Sequence, residues 1–226
     1  MVLEHLFVNL DFLINSGVSM DKKEFEKAIK FYRTLAEKEM ENEKIVNGVL
    51  LGPRSSVKTE KIGINDIINP SRPYLAKDAG EELDSAYVST FRIGHFNQPE
   101  QLASTCQGTS FVGGMEFGSN LVRQKIINSI EELGTFLADY KIGIVDVFGE
   151  NEEDGIKTID IRVYECIECS DLLNIGKPMC FFEAGVITGI FKEFTKKDVI
   201  AEELRCWTSG YSFCQFDVTI KDQDKK

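Results

Sequence analysis

The sequence predicts an α+β fold, and three observations carry that expectation. Residues 157–165 (KTIDIRVYE) alternate strictly, with Ile159, Ile161 and Val163 on one face and Thr158, Asp160, Arg162 and Tyr164 on the other. Residues 21–43 and 113–140 instead repeat their apolar positions at helical spacing. A tight turn, TSGY (208–211), then leads into a last alternating strand over 212–220.

The elements follow in order. The opening run MVLEHLFVNLDFLIN lacks a basic start, and Asn9 and Asp11 interrupt it, so it reads as a folded segment rather than an export signal. The helix over 21–43 carries Phe25, Ala28, Ile29, Tyr32, Leu35 and Ala36 as an apolar stripe, with Asp21 and Glu24 placed as a capping box. Residues 52–100, punctuated by Pro53, Pro70, Pro73 and Pro99, predict loops, short strands and a mobile segment.

Over 113–140 a helix is expected from Phe117, Leu121, Ile126, Ile130, Leu133 and Leu137. Gly114 and Gly118 share one face of it, where another backbone can come close. IGIVDVF (142–148), a turn over 150–155 and the strand 157–165 read as a hairpin. Cys180 opens a helix, FFEAGVITGIFKEF, with Gly185 and Gly189 again four apart. A turn and strand over 196–206 follow, and Cys214, Phe216, Val218 and Ile220 form the inward face of the final strand. The tail 221–226 is polar and frays.

Composition narrows the function classes. The 226 residues are 42% hydrophobic and 28% charged, enough to bury a full core without disulfides. The six cysteines therefore need another role. A formal charge of −11 sets direct DNA or RNA binding aside, because such binding draws its affinity from basic residues on phosphate. No apolar run of about 20 residues exists, so no membrane helix is expected. With no export signal, a cytoplasmic location with reduced cysteines follows.

Cys206 and Cys214 lie four residues on either side of Gly210, so an antiparallel return brings them opposite each other. Glu203 precedes Cys206 by three and needs a bend or bulge to point the same way. Cys180, at a helix N-terminus, sits where a thiolate is stabilised. Spacing alone leaves a metal site, a reduced thiol core and a cross-strand disulfide open. Cys166 and Cys169 form a separate CxxC, which reads as structural thiols, with a redox pair or a second metal site as the alternatives. Cys106 carries no signal.

The segments GKPMCFFEAGVITG and EELRCWTSGYSFCQF resemble the 4-vinyl reductase domain family, also described as hydrocarbon-binding proteins. The shared pattern is a Cys before a Gly-containing helix, then E-x-x-C, then seven residues and a Cys. The resemblance is specific over about the last 60 residues and weaker back to about Gly113. It implies a structural Zn²⁺ held by Cys180, Glu203, Cys206 and Cys214, all present here. It also implies the fold of a superfamily that includes small TRAPP trafficking subunits: an antiparallel sheet packed against helices around an apolar cavity. On that basis residues 111–222 form the small-molecule-binding domain, and residues 1–110 an N-terminal helical extension, part of the core or packed on it.

The function expected is a zinc-containing, sensory or regulatory binder of a hydrophobic, hydrocarbon or aromatic molecule. Phe117, Ile161, Ala184 and Thr188 are the expected ligand-binding residues. An enzyme or accessory factor in tetrapyrrole vinyl-group reduction is the alternative. No GxGxxG supplies a hydride-cofactor site, and neither His5 nor His95 has an evident partner in sequence. A scaffold subunit is a further alternative. A homodimer is expected from the stripe over 25–36.

Overall fold

A computed structural model describes residues 20–58, 62–68, 70–96 and 103–222. The expectations for the opening run and for the end of the polar tail lie outside the described residues. Helix α1 (Lys22–Met40) leads into a small hairpin of β1 (Lys44–Val46) and β2 (Val49–Leu51). Asn47 and Gly48 turn it, both with positive φ as the tightest hairpin turns require. Two short helices follow, α2 (Ile64–Ile67) and α3 (Leu75–Ala79), then α4 (Glu81–Phe96), α5 (Ala103–Arg123) and α6 (Glu132–Asp139). The second half holds β3 (Ile144–Glu153), β4 (Ile156–Tyr164), α7 (Phe181–Thr195), β5 (Asp198–Arg205) and β6 (Cys214–Lys221).

The four long strands make one antiparallel sheet in the order β3-β4-β6-β5. Its inward faces are those expected: Ile159, Ile161 and Val163 on β4 and Cys214, Phe216, Val218 and Ile220 on β6 are all buried. The turn between β3 and β4 is shorter than the expected 150–155. Only Asp154 and Gly155 turn the chain, at φ 52° and 76°, and the acidic residues before them continue β3.

Three expectations need correction. The helix over 113–140 is two helices. Leu121 accepts hydrogen bonds from both Ile126 and Ile127 N–H, and Lys125 adopts φ 59°, which ends α5. The segment 52–100, expected as loops and short strands, contains the 16-residue α4. Its buried face runs through Asp84, Val88 and Arg92, while Leu83, Tyr87 and Ile93 are exposed. Charged residues stand where apolar periodicity would be sought, which hides the helix. Arg72 pairs with Asp84 and also donates to the carbonyls of Lys141 and Glu165, so this buried charge is satisfied.

The third correction concerns α1. Asp21 caps it by accepting from Lys23 N–H, as expected, but Glu24 pairs with Lys27 and Lys77 instead of closing a capping box. Its stripe, however, covers the chain's own sheet: Ala28, Tyr32 and Ala36 are buried with Ile144 and Tyr164. Tyr32 stacks on Tyr164 at 4.9 Å and donates to Glu165. Arg33 makes two hydrogen bonds to Asp146 on β3. These residues of the stripe are therefore used within the chain.

Helices α5 and α7 cross closely. A Cβ on Gly114 or Gly118 would collide with the carbonyl oxygen of Phe182 or Val186, and one on Gly185 or Gly189 with that of Phe111 or Met115. Both glycine pairs therefore serve packing. A domain boundary between 110 and 111 falls inside α5.

Candidate metal centre

Local geometry brings five cysteines to one place. Cys214 is the first residue of β6 and pairs in register with Val163 of β4. Cys206 follows β5 and enters a short 3₁₀ turn, Trp207–Ser209, closed by Gly210 at φ 94°. Cys180 is the N-cap of α7. The register of β5 on β6 slips between Glu203 and Arg205, which is the bulge Glu203 needs to face the thiols. Its Oε2 accepts the Cys180 N–H at 2.7 Å. Cys166 and Cys169 come from the loop after β4, begun by Glu165 at φ 51°.

The ligand atoms of Cys180, Glu203, Cys206 and Cys214 lie within 4.8 Å of one another. Cys180 Sγ is 3.7 Å from Cys206 Sγ and 3.6 Å from Cys214 Sγ, and Cys206 and Cys214 are 4.0 Å apart. A zinc–sulfur bond of about 2.3 Å gives a tetrahedral edge of about 3.8 Å, so these three sulfurs have the spacing of one tetrahedral face. Glu203 Oε1 is buried without a hydrogen-bond partner, a costly state for a carboxylate unless a cation faces it.

The thiols are sealed from solvent: Cys166, Cys169, Cys206 and Cys214 are 0% exposed and Cys180 is 1%. Burial and crowding by like groups push the thiols of Cys169, Cys180 and Cys214 well up, and the carboxyls of Glu183 and Glu203 with them. Burial opposes ionisation of Cys166 and Cys206 too. Hydrogen bonds from neighbouring thiols outweigh it there, with the Thr208 hydroxyl adding to Cys206, and both are drawn well down. A cluster of this kind ionises fully only against a cation.

Two cationic side chains brace the loops. Arg92, fully buried on α4, donates to the carbonyls of Ile167 and Ser170 and to the Ser170 hydroxyl. Arg54 donates to the carbonyls of Tyr211, Leu172 and Trp207 and lies over the Trp207 ring at 4.6 Å. Residues well before the C-terminal motif region therefore hold the cysteine loops.

Sequence reasoning missed three neighbours of this cluster. Glu183 Oε1 lies 3.1 Å from Cys166 Sγ. Glu168, 0% exposed, accepts the Phe182 N–H and lies 2.8 Å from His95 Nε2. His95 thus has the carboxylate partner that the linear sequence did not reveal. Burial opposes its protonation, but Glu168 prevails and its pKa is raised. The CxxC was the available signal, but its place depends on β4 pairing with β6, which is not its neighbour in sequence.

The expected ligand residues do not converge on one opening. Ile161 and Ala184 belong to the packed core. Thr188 is committed to hydrogen bonds with Ala184 O and Ala201 N–H. Phe117 stands at the surface, stacked on Phe182 at 6.1 Å. Phe182 in turn meets Phe91, which stacks on His95. His95 lines a cleft of about 560 Å³ between α4, α5 and the segment before α7, with Thr109, Ser110, Lys177, Met179 and Phe181. A second cleft of about 650 Å³ lies between α1, α6 and β3, and the Arg33–Asp146 pair crosses it. None of the described helices is long and apolar enough to cross a membrane.

The family model of the 4-vinyl reductase domain matches residues 159–220, a span that holds all five clustered cysteines. The uncharacterized protein MJ1642 of Methanocaldococcus jannaschii is 38% identical over 150 residues, 66% of this chain and 85% of its own. A second protein of that organism, MJ0150, is 28% identical over 170 residues, 74% of this chain and 91% of its own. Among solved structures, a vinyl-4-reductase family protein from Methanocaldococcus jannaschii aligns with TM-score 0.42 and 20% identity, over 74% of this chain and 100% of that one. The phenol-responsive sensory domain of the transcription activator PoxR aligns with TM-score 0.44 and 12% identity, over 83% of this chain and 89% of that one. The domain match over the cysteine-bearing region, together with a relative aligned over most of its length, places this chain in the 4-vinyl reductase domain family.

Proposed function

We propose that this protein is a zinc-stabilised binder of a hydrophobic, aromatic small molecule with a sensory or regulatory role. The observation that carries the metal is the convergence of Cys180, Glu203, Cys206 and Cys214 around the unpartnered Glu203 Oε1. Three thiolates and one carboxylate fill a tetrahedron and leave no position for substrate or activated water. In this reading the ion is structural and pins the start of α7 to the β5–β6 hairpin.

The ligand site we favour is the cleft beside His95; of the aromatic row Phe117, Phe182, Phe91 and His95, only His95 lines it, so it replaces the expected site at Phe117. Its volume is that of an ordinary small-molecule site. Met179 and Phe181 flank Cys180, so a molecule bound there touches the segment that the metal holds. The alternative cleft, lined by the Arg33–Asp146 pair, does not touch the Cys180 segment. The binding unit then begins with α4 rather than at residue 111.

Elemental analysis with native mass spectrometry tests the metal, and a melting-shift screen with simple phenols and alkylbenzenes tests the cleft. Zinc in the folded protein is expected, together with a shift that Ser110→Trp abolishes without loss of zinc. A folded protein with no metal, or a shift that Ser110→Trp leaves unchanged, would sink the respective half of the reading.

A further inference from the structure

We infer that the cysteine cluster is a two-metal centre, in which Cys166 and Cys169 hold a second zinc ion that shares Cys180 and Cys214 with the first. This rests on the metal reading above and deepens it. Cys166, Cys169, Cys180 and Cys214 form their own set, all buried, with sulfurs within 4.8 Å of one another. Cys166 Sγ is 3.6 Å from Cys180 Sγ, Cys169 Sγ is 3.1 Å from Cys214 Sγ, and Cys180 Sγ is 3.6 Å from Cys214 Sγ. The two 3.6 Å spacings are close to the edge of about 3.8 Å expected around one tetrahedral ion, and the Cys169–Cys214 pair, at 3.1 Å, would open by about 0.7 Å on binding it.

The two sets have the Cys180–Cys214 pair in common, so the two tetrahedra share an edge. Cys166 and Cys169 are terminal on one side, and Glu203 and Cys206 on the other. Thiolate sulfur has lone pairs enough to bridge two soft or borderline cations. A single ion at the Glu203 side would leave two further buried thiols packed against it with no cation of their own. With two ions, five thiolates and one carboxylate face two divalent charges. The remaining double negative charge is matched by Arg92 and Arg54, whose guanidinium groups brace the loops of both halves. Glu183 Oε1 accepts from the Cys166 thiol at 3.1 Å on the outer side of this half of the cluster.

The test uses the full chain purified under reducing conditions with zinc supplied. Elemental analysis and native mass spectrometry should give about two zinc ions per chain in the wild type and about one in Cys166→Ser/Cys169→Ser. One ion in both proteins, or one ion with a two-hydrogen mass loss from a Cys166–Cys169 disulfide, overturns the second site and leaves the first standing. No metal in either overturns both. If the double variant does not fold, cobalt titration of metal-free wild type decides. The first equivalent should give a paramagnetic resonance signal and a thiolate-to-cobalt absorption band. The second should increase the absorption while the resonance signal falls, because bridging sulfurs couple the two spins. Saturation at one equivalent, or two equivalents with additive resonance signals, overturns the shared-edge centre.

Discussion

Charged groups buried against the cysteine loops make individual residues unusually consequential here. Arg92 is 0% exposed and satisfies three acceptors on the CxxC loop. Arg92→Met should cost about 3 kcal/mol, since it strands buried carbonyls while filling much of the volume. Urea unfolding at neutral pH measures this, and a loss under about 1 kcal/mol would show that those carbonyls find other donors. Glu43 makes two hydrogen bonds to Arg205 and accepts a third from Tyr211. The hydrogen bonds from Arg205 hold its carboxyl below the ordinary value of 4.5. A depressed pKa means that folding favours the ionised form, so the contribution is complete above 4.5 and is lost as pH falls through the lower folded value. Glu43→Gln should therefore lower stability by about 2 kcal/mol at pH 7, and the gap should close under acid. Equal gaps at pH 7 and at about pH 3 would contradict this assignment.

Among elements, the α5–α7 crossing is set by backbone contact. Gly185→Ala places a methyl group against the Phe111 carbonyl and 2.9 Å from Met115 N, and helix backbones cannot yield as a flexible side chain would. A loss of about 2–3 kcal/mol is expected, read as a lower melting temperature. Gly113→Ala, on the facing helix α5, meets nothing within 4 Å. There the gain in helix propensity should dominate and stabilise by up to about 1 kcal/mol. If both variants behaved alike, the close crossing would be wrong. The hairpins follow local chemistry: Asn47-Gly48 and Asp154-Gly155 each supply the two positive φ values that a two-residue turn needs. The bulge at Glu203–Arg205 is the opposite case, a local irregularity that turns a carboxylate toward the thiols.

For the whole molecule, the metal and the fold are coupled in the proposed reading. Structural zinc in small sites contributes about 10–16 kcal/mol, against about 5–15 kcal/mol for the net stability of a typical domain. Stripping the metal with a strong chelator should then abolish the cooperative transition of the C-terminal half or lower its midpoint by more than about 10 °C. Calorimetry with and without chelator measures this, and an unchanged transition in verified metal-free protein would refute the coupling. Residues 52–54 join the same cooperative unit. Gly52 N–H and Arg54 N–H donate to Ser209 O and Gly210 O, which ties the chain before α2 to the turn beside Cys206.

Much of this was legible in the linear order of residues because it depends on local periodicity and turn chemistry. The inward faces of β4 and β6, the capped α1, the helix opened by Cys180 and the need for a bulge at Glu203 all follow from spacing within one or two elements. The break at Lys125 and the true length of β3 escape such reading because apolar period does not mark where a helix or strand ends. Helix α4 was hidden because its inward residues, Asp84 and Arg92, are charged and find their partners only across the fold. Residue order was enough for the α+β class, and the family resemblance it carries implied Cys180, Glu203, Cys206 and Cys214 as a candidate ligand set. It took the folded chain to bring Cys166, Cys169, Glu183 and the His95–Glu168 pair to that set. The reason is topological: β4 reaches β6 across an intervening helix and strand, and no local spacing encodes which distant strands pair.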